Sequence, residues 1–259
     1  MVMEIDWNIV KKKTLWKYED LIKKLLKVLS YDFIQKHYNH NMKEAKGYVG
    51  KLLGYDQKYA EYTIKLTDVF EKLDRLKVQN YTELVQRVTD RDKCERFLSH
   101  AGLPFEEFIS ALNYIFRWVL PFRNVYLRQL ADTGNEVHKD HIENLREHEI
   151  KFNLDILEHG RTKEGRMKLS RETGIPEDFL FDLINRADLT RLPYMSKQTV
   201  NHLCGAGYST IDELARVDVE KLKNDMKSYF GKRGIRLGSF IDLTGLIEWA
   251  RAVPKIVES

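Results

Sequence analysis

Two stretches of the chain, "LSHAGLPFEEFISALN" (98–113) and "LSRETGIPEDFLFDLIN" (169–185), follow one order: Leu-Ser, a glycine, an apolar residue and proline, an acidic pair and phenylalanine, then apolar residues. They differ by one residue before the glycine, and "LCGAGYSTIDELA" (203–215) repeats the skeleton more loosely. Each requires a helix that closes on a C′ glycine (Gly102, Gly174, Gly207), where φ turns positive. A second helix then restarts, with Pro104 or Pro176 near its first turn and acids against the positive end of its dipole. Convergence on these connection rules accounts for the repeat at least as well as duplication. No window alternates apolar and polar residues in a sustained way, so strands should be scarce and the fold class is expected to be all-α.

The helical reading continues along the chain. "TLWKYEDLIKKLLKVLSYDFIQKHY" sets Leu15, Ile22, Leu25, Leu26, Leu29 and Phe33 on one face, with Lys17, Lys23, Lys24 and Lys27 largely off it. A basic amphipathic helix can serve a membrane or an acidic partner, but a core helix with a solvated lysine face explains the pattern with less. Residues 56–77 and 81–99 are further helical patterns, with Thr82 as a candidate N-cap, and 106–120 is the most apolar segment, stopped by Pro121. After "ADTG", residues 134–159 read as one long polar helix. The expected organisation is an N-terminal helical bundle over 1–133, a connector helix over 134–159 and a C-terminal tandem hairpin domain over 160–259.

Composition narrows the class. Of 259 residues, 43% are hydrophobic and 32% charged, and the net charge is +4, which permits a polyanionic partner without demanding one. Cys94 and Cys204 lie in no metal-like spacing and fit reduced thiols. No stretch approaches eighteen apolar residues, and acids precede any apolar run at the start. The expectation is a cytoplasmic protein with no membrane partner.

The stretches "GRTKEGRMKLSRETGIPEDFLFDLINRADLTRL" (160–192), "PYMSKQTVNHLCGAGYSTIDELARVDVEKL" (193–222) and "LIEWARAVPKIVE" (246–258) resemble an uncharacterised family, a domain of unknown function related to tandem helix-hairpin-helix repeats. The resemblance begins at about Asp155 and covers roughly two-fifths of the chain. It implies two consecutive hairpin units, no catalytic residues, and binding to nucleic acid or protein. Family members usually read Gly-apolar-Gly where this chain has Tyr194-Met195-Ser196, and Ala where it has Val200. Such glycines let backbone N–H groups approach a phosphate oxygen closely. Tyr194 adds bulk there, while Ser196 can still cap a helix that begins at Lys197.

Basic residues cluster twice in the C-terminal part. "RTKEGRMKLSR" (161–171) holds Arg161, Lys163 and Arg166, and "KSYFGKRGIRLGS" (227–239) holds Lys227, Lys232, Arg233 and Arg236, with Tyr229, Phe230 and Phe240 nearby. Gly231-Lys232-Arg233-Gly234 matches the clamp loop of KH domains, but no strands flank it. The second stretch therefore reads as a basic glycine loop for phosphate or single-strand contact, or as an ordinary solvated loop. Base reading by the helix after Gly174 is excluded, because its first turn holds Glu177 and Asp178 before Phe179, Leu180 and Phe181. His138, His141 and His148, and the pair His37 and His40, match no metal-binding spacing, so no metal and no cofactor are expected. Signatures for phosphate, dinucleotide or acyl chemistry are missing from the sequence.

The sequence thus predicts a non-enzymatic protein that grips a DNA or RNA backbone without base specificity. Lys197, Lys232, Arg233 and Arg236 would be the main contacts, assisted by Arg161, Lys163 and Arg166. The alternative is a protein-interaction scaffold whose hairpin has lost its anion site, with Tyr194 and Met195 exposed together as the contact patch.

Overall fold

In the computed structural model, which describes residues 5–131, 135–234 and 242–259, Gly102, Gly174 and Gly207 all take positive φ (58°, 70° and 96°). Each stands just past a helix, and Pro104 and Pro176 then lead the next helix with two acids in its first turn. The protein is all-α. Among the described residues the only extended pairing is an isolated antiparallel bridge between Tyr126 and Phe152.

The chain divides into two compact units, Met1–Phe122 and Arg123–Ser259. The first holds α1 (Asn8–Thr14), α2 (Tyr18–Leu29), α3 (Asp32–His37), α4 (Met42–Leu53), α5 (Ala60–Arg75), α6 (Tyr81–Arg87), α7 (Arg91–Ala101) and α8 (Phe105–Tyr114). A π-helical turn, Ile115–Val119, ends α8 before Pro121. The second holds α9 (Glu136–Glu147), α10 (Asn153–Gly160), α11 (Lys163–Thr173), α12 (Glu177–Leu189), α13 (Lys197–Gly205), α14 (Ile211–Arg216), α15 (Val219–Lys232) and α16 (Leu243–Ala252). Among the described residues no helix is long and apolar enough to cross a membrane.

Local chemistry sets the boundaries. Asn41 and Glu44 form a reciprocal capping box at α4, and Thr210 with Glu213 does the same at α14. At α6 the cap is Asn80, whose side chain accepts from the Glu83 N–H. Thr82, the expected cap, lies inside the helix, and its N–H donates to Asn39 Oδ1. On α2, Tyr18, Leu21, Ile22, Leu25, Val28 and Leu29 are buried, so this is a core helix with a solvated lysine face. Leu15 does not share that face. α1 ends at Thr14, Leu15 takes φ 74°, and α2 begins in a new phase at Tyr18.

The expected connector over 134–159 is two helices. α9 stops at Glu147, Glu149 takes φ 62°, and α10 starts at Asn153. The break is imposed from outside the segment. Leu127 N–H donates to Lys151 O at 3.1 Å and Asn153 N–H to Val125 O at 2.9 Å. The buried Asn153 side chain accepts from Val125 N–H and donates to Thr190 Oγ1 at 2.6 Å. Residues 123–131 are thereby bonded to the second unit, which is why the contacts divide at Phe122/Arg123 and not at 133/134.

Candidate nucleic-acid interface

The turn between α12 and α13 is built around a buried ion pair. Asp188, on the last turn of α12, accepts from Arg191 Nε at 2.6 Å, and Arg191 also donates to Pro254 O at 3.1 Å. Burial pushes the Asp188 carboxyl up, and the Arg191 charge pulls against it. Arg191 therefore ties the turn to the tail after α16.

Tyr194 follows with φ 57°, in the left-handed region that glycine enters without steric penalty. Its backbone is the one a Gly-apolar-Gly turn would have, and its ring lies out toward Trp249, with centroids 6.2 Å apart. Ser196 has ordinary extended backbone and caps α13, its Oγ accepting from the Thr199 N–H at 3.1 Å. Met195 is only 2% exposed while Tyr194 is 47% exposed. The two do not form the joint patch that the sequence suggested, because Met195 turns inward and its carbonyl accepts from Arg123.

The expected phosphate contacts separate into two groups. Arg161 is half-buried, and its guanidinium donates to the Glu158 carbonyl at 2.6 Å and to the Glu158 carboxylate at 3.3 Å, so it closes the end of α10. Arg166 is 5% exposed, with its guanidinium 4.7 Å from the Phe181 ring centroid and one N–H on the Arg161 carbonyl. Arg166 is a packing residue and does not present its charge. Lys163 is exposed at the start of α11, and its backbone N–H donates to Glu258 Oε2 at 2.9 Å.

Lys197, Lys232 and Arg233 are exposed and make no ion pair among the described residues. Arg236 and Phe240 lie outside the described residues. The stretch expected as a glycine loop is helical as far as Lys232, because α15 runs through Gly231, and the turn begins only at Arg233 and Gly234 (φ 63°). Phe230 is buried and Tyr229 half-buried, so neither is an open stacking platform.

Sequence reasoning missed Gly205 and His202, which join α13 to α15. A Cβ at Gly205 would sit 2.4 Å from Tyr229 Cε2, so the missing side chain is what lets the two helices meet. The ring of Tyr229 also carries the Arg233 guanidinium, 4.7 Å from its centroid. His202 packs edge-on against Phe230 at 4.8 Å and against Tyr229 at 5.9 Å. Burial, and then the Arg233 charge, lower its pKa, and its Nδ1 has no hydrogen-bond partner among the described residues. Lys197 begins the helix that carries His202, and Lys232 and Arg233 end the helix packed against it. The signal for Gly205 was a second glycine two residues before the capping one, which has no capping role of its own.

Fold and site together define an all-α protein whose C-terminal unit presents unneutralised cations at the start of α13 and at the end of α15. Residues 135–252 match the model of a family described as a domain of unknown function (DUF4332). No curated protein and no solved structure matches the chain.

Proposed function

We propose that the C-terminal unit is a pair of helix-hairpin-helix units that binds the phosphate backbone of DNA or RNA without base specificity, and that it has no enzymatic role. Lys197, Lys232 and Arg233 make the contacts. One observation supports this above the others. Lys139, Arg146, Lys168, Arg186, Lys221, Lys223 and Arg251, basic residues on the helices of the same unit, are each ion-paired with an acid three or four residues away, whereas Lys227, Lys232 and Arg233 on the last turns of α15 are not. Lys163 and Arg171 on α11 are also exposed without an ion pair among the described residues, but the end of α15 gathers three such cations within seven positions, which suits an external polyanion. The hairpin contributes through Lys197 and little through its turn backbone, since Tyr194 stands where a glycine would let a phosphate approach closely.

Fluorescence anisotropy with labelled duplex DNA, single-stranded DNA and RNA tests the reading. Three phosphate contacts predict that duplex affinity falls about 40-fold when salt rises fourfold. Lys232→Gln with Arg233→Gln should flatten that dependence by about two contacts and weaken all sequences alike. Absence of binding to all three probes at low salt overturns the reading and favours the protein scaffold.

A further inference from the structure

The first unit carries its own group of unneutralised cations, on the helices that precede and follow a strained apolar residue. Leu15 is the C′ residue of α1, the place where helices close on glycine, and its N–H donates to Lys11 O at 3.0 Å. Its φ of 74° strains a residue with a Cβ, and its side chain is 68% exposed. Both neighbours hold it in that state. Thr14 is fully buried, with its Oγ1 donating to Val10 O at 2.7 Å and accepting from Trp16 N–H at 3.2 Å. Trp16 is pinned edge-on against Phe116 at 5.1 Å, with Lys24 Nζ and the Arg117 guanidinium 5.6 and 5.7 Å from its ring centroid. Between two anchored residues, Leu15 can only point outward.

The flanks are basic apart from Asp20, which is exposed in the first turn of α2. Lys11, Lys12, Lys17, Lys23 and Lys24 are exposed and make no ion pair among the described residues, whereas Lys13 is paired with Glu106 and Arg91 takes up Glu19. We propose that this α1–α2 corner, with Leu15 as its apex, docks on the surface of an anionic lipid bilayer. Lysines around an aliphatic tip match a surface whose outer layer is anionic and whose next layer is apolar. A nucleic-acid backbone would satisfy the lysines and leave Leu15 with nothing to enter. The sequence expectation of no membrane partner rested on spanning segments, and docking on a surface requires none.

The test is co-sedimentation of the full chain with vesicles of phosphatidylcholine alone and of phosphatidylcholine mixed with phosphatidylserine. Wild type should partition onto the mixed vesicles only, and Lys12→Gln or Lys17→Gln should each weaken this about fivefold. Leu15→Gly is the decisive variant, because its two readouts part company. Glycine suits the positive φ, so the melting temperature stays at or above wild type, while vesicle affinity falls about tenfold with the loss of the inserted side chain. The proposal is overturned if wild type ignores the mixed vesicles, if Leu15→Gly binds them as well as wild type, or if the lysine variants lose DNA binding and keep vesicle binding. Lys232→Gln with Arg233→Gln should leave vesicle binding intact. Its loss in that variant would assign the binding to the C-terminal unit and equally overturn the proposal.

Discussion

In the stretch 161–171, five basic residues stand against one acid, and in 227–233 three stand against none. The first stretch folds so that most of its charge is used internally, although Lys163 stays exposed and makes no ion pair among the described residues. Arg161 closes α10, Arg166 lies buried on Phe181, Lys168 reaches Glu172 at 3.9 Å, and Arg171 Nε donates to the Met167 carbonyl. The second folds so that its charge remains outside, with Tyr229 holding Arg233 in place by its ring face. Charge density along a sequence therefore does not measure charge offered to a partner. What decides is whether an acid, a carbonyl or a ring stands within reach on the folded surface.

The comparison breaks most visibly at Arg166. Arg166→Ala should cost about 2 kcal/mol, from the lost ring contact and the lost packing of its stem. Chemical denaturation measures this, and nucleic-acid affinity, corrected for the folded fraction, should not change. A loss of affinity without a loss of stability would place Arg166 at the interface and erase the distinction between the two stretches.

What the sequence made legible was what neighbours along the chain decide. The positive φ of Gly102, Gly174 and Gly207, the acids after Pro104 and Pro176, and the cap at Ser196 all follow from residues within one turn of each other. What it hid depends on distant partners. The break between α9 and α10 is made by hydrogen bonds from Val125 and Leu127, and the burial of Arg166 by a ring on the following helix. Leu15 was hidden for a different reason. Its spacing fits the apolar face of α2, and only the αL turn that separates α1 from α2 turns it outward. Of the candidate site, the charges were legible and their availability was not.

Tyr194 sharpens the comparison by asking whether the hairpin turn shares in binding at all. Tyr194→Gly places glycine at a φ of 57° and should stabilise the fold by about 1 kcal/mol, less whatever the contact with Trp249 contributes. It also reopens the turn to a phosphate. If the α15 end is the principal contact, anisotropy will register less than about a twofold gain in affinity, well under 1.4 kcal/mol. A tenfold gain would move the grip back to the hairpin.

The smallest effect is the most selective for the α13–α15 edge. His202 has a lowered pKa in the folded chain, because burial and Arg233 both disfavour its charged form. As pH falls, the unfolded chain takes up this proton first, at about 6.5. The contribution of His202 to stability is therefore fully present above that value and declines below it. His202→Gln should remove that part of the acid sensitivity, read as a smaller drop in melting temperature between about pH 7 and pH 5. Affinity should move the other way. A bound phosphate offsets the repulsion from Arg233 and favours the charged imidazole, so wild type binds more tightly as pH falls, and its salt slope steepens by at most about 0.9. In the variant neither change should occur. A wild-type affinity flat from neutral to acidic pH would show that the bound polyanion does not reach the Arg233–Tyr229–His202 stack.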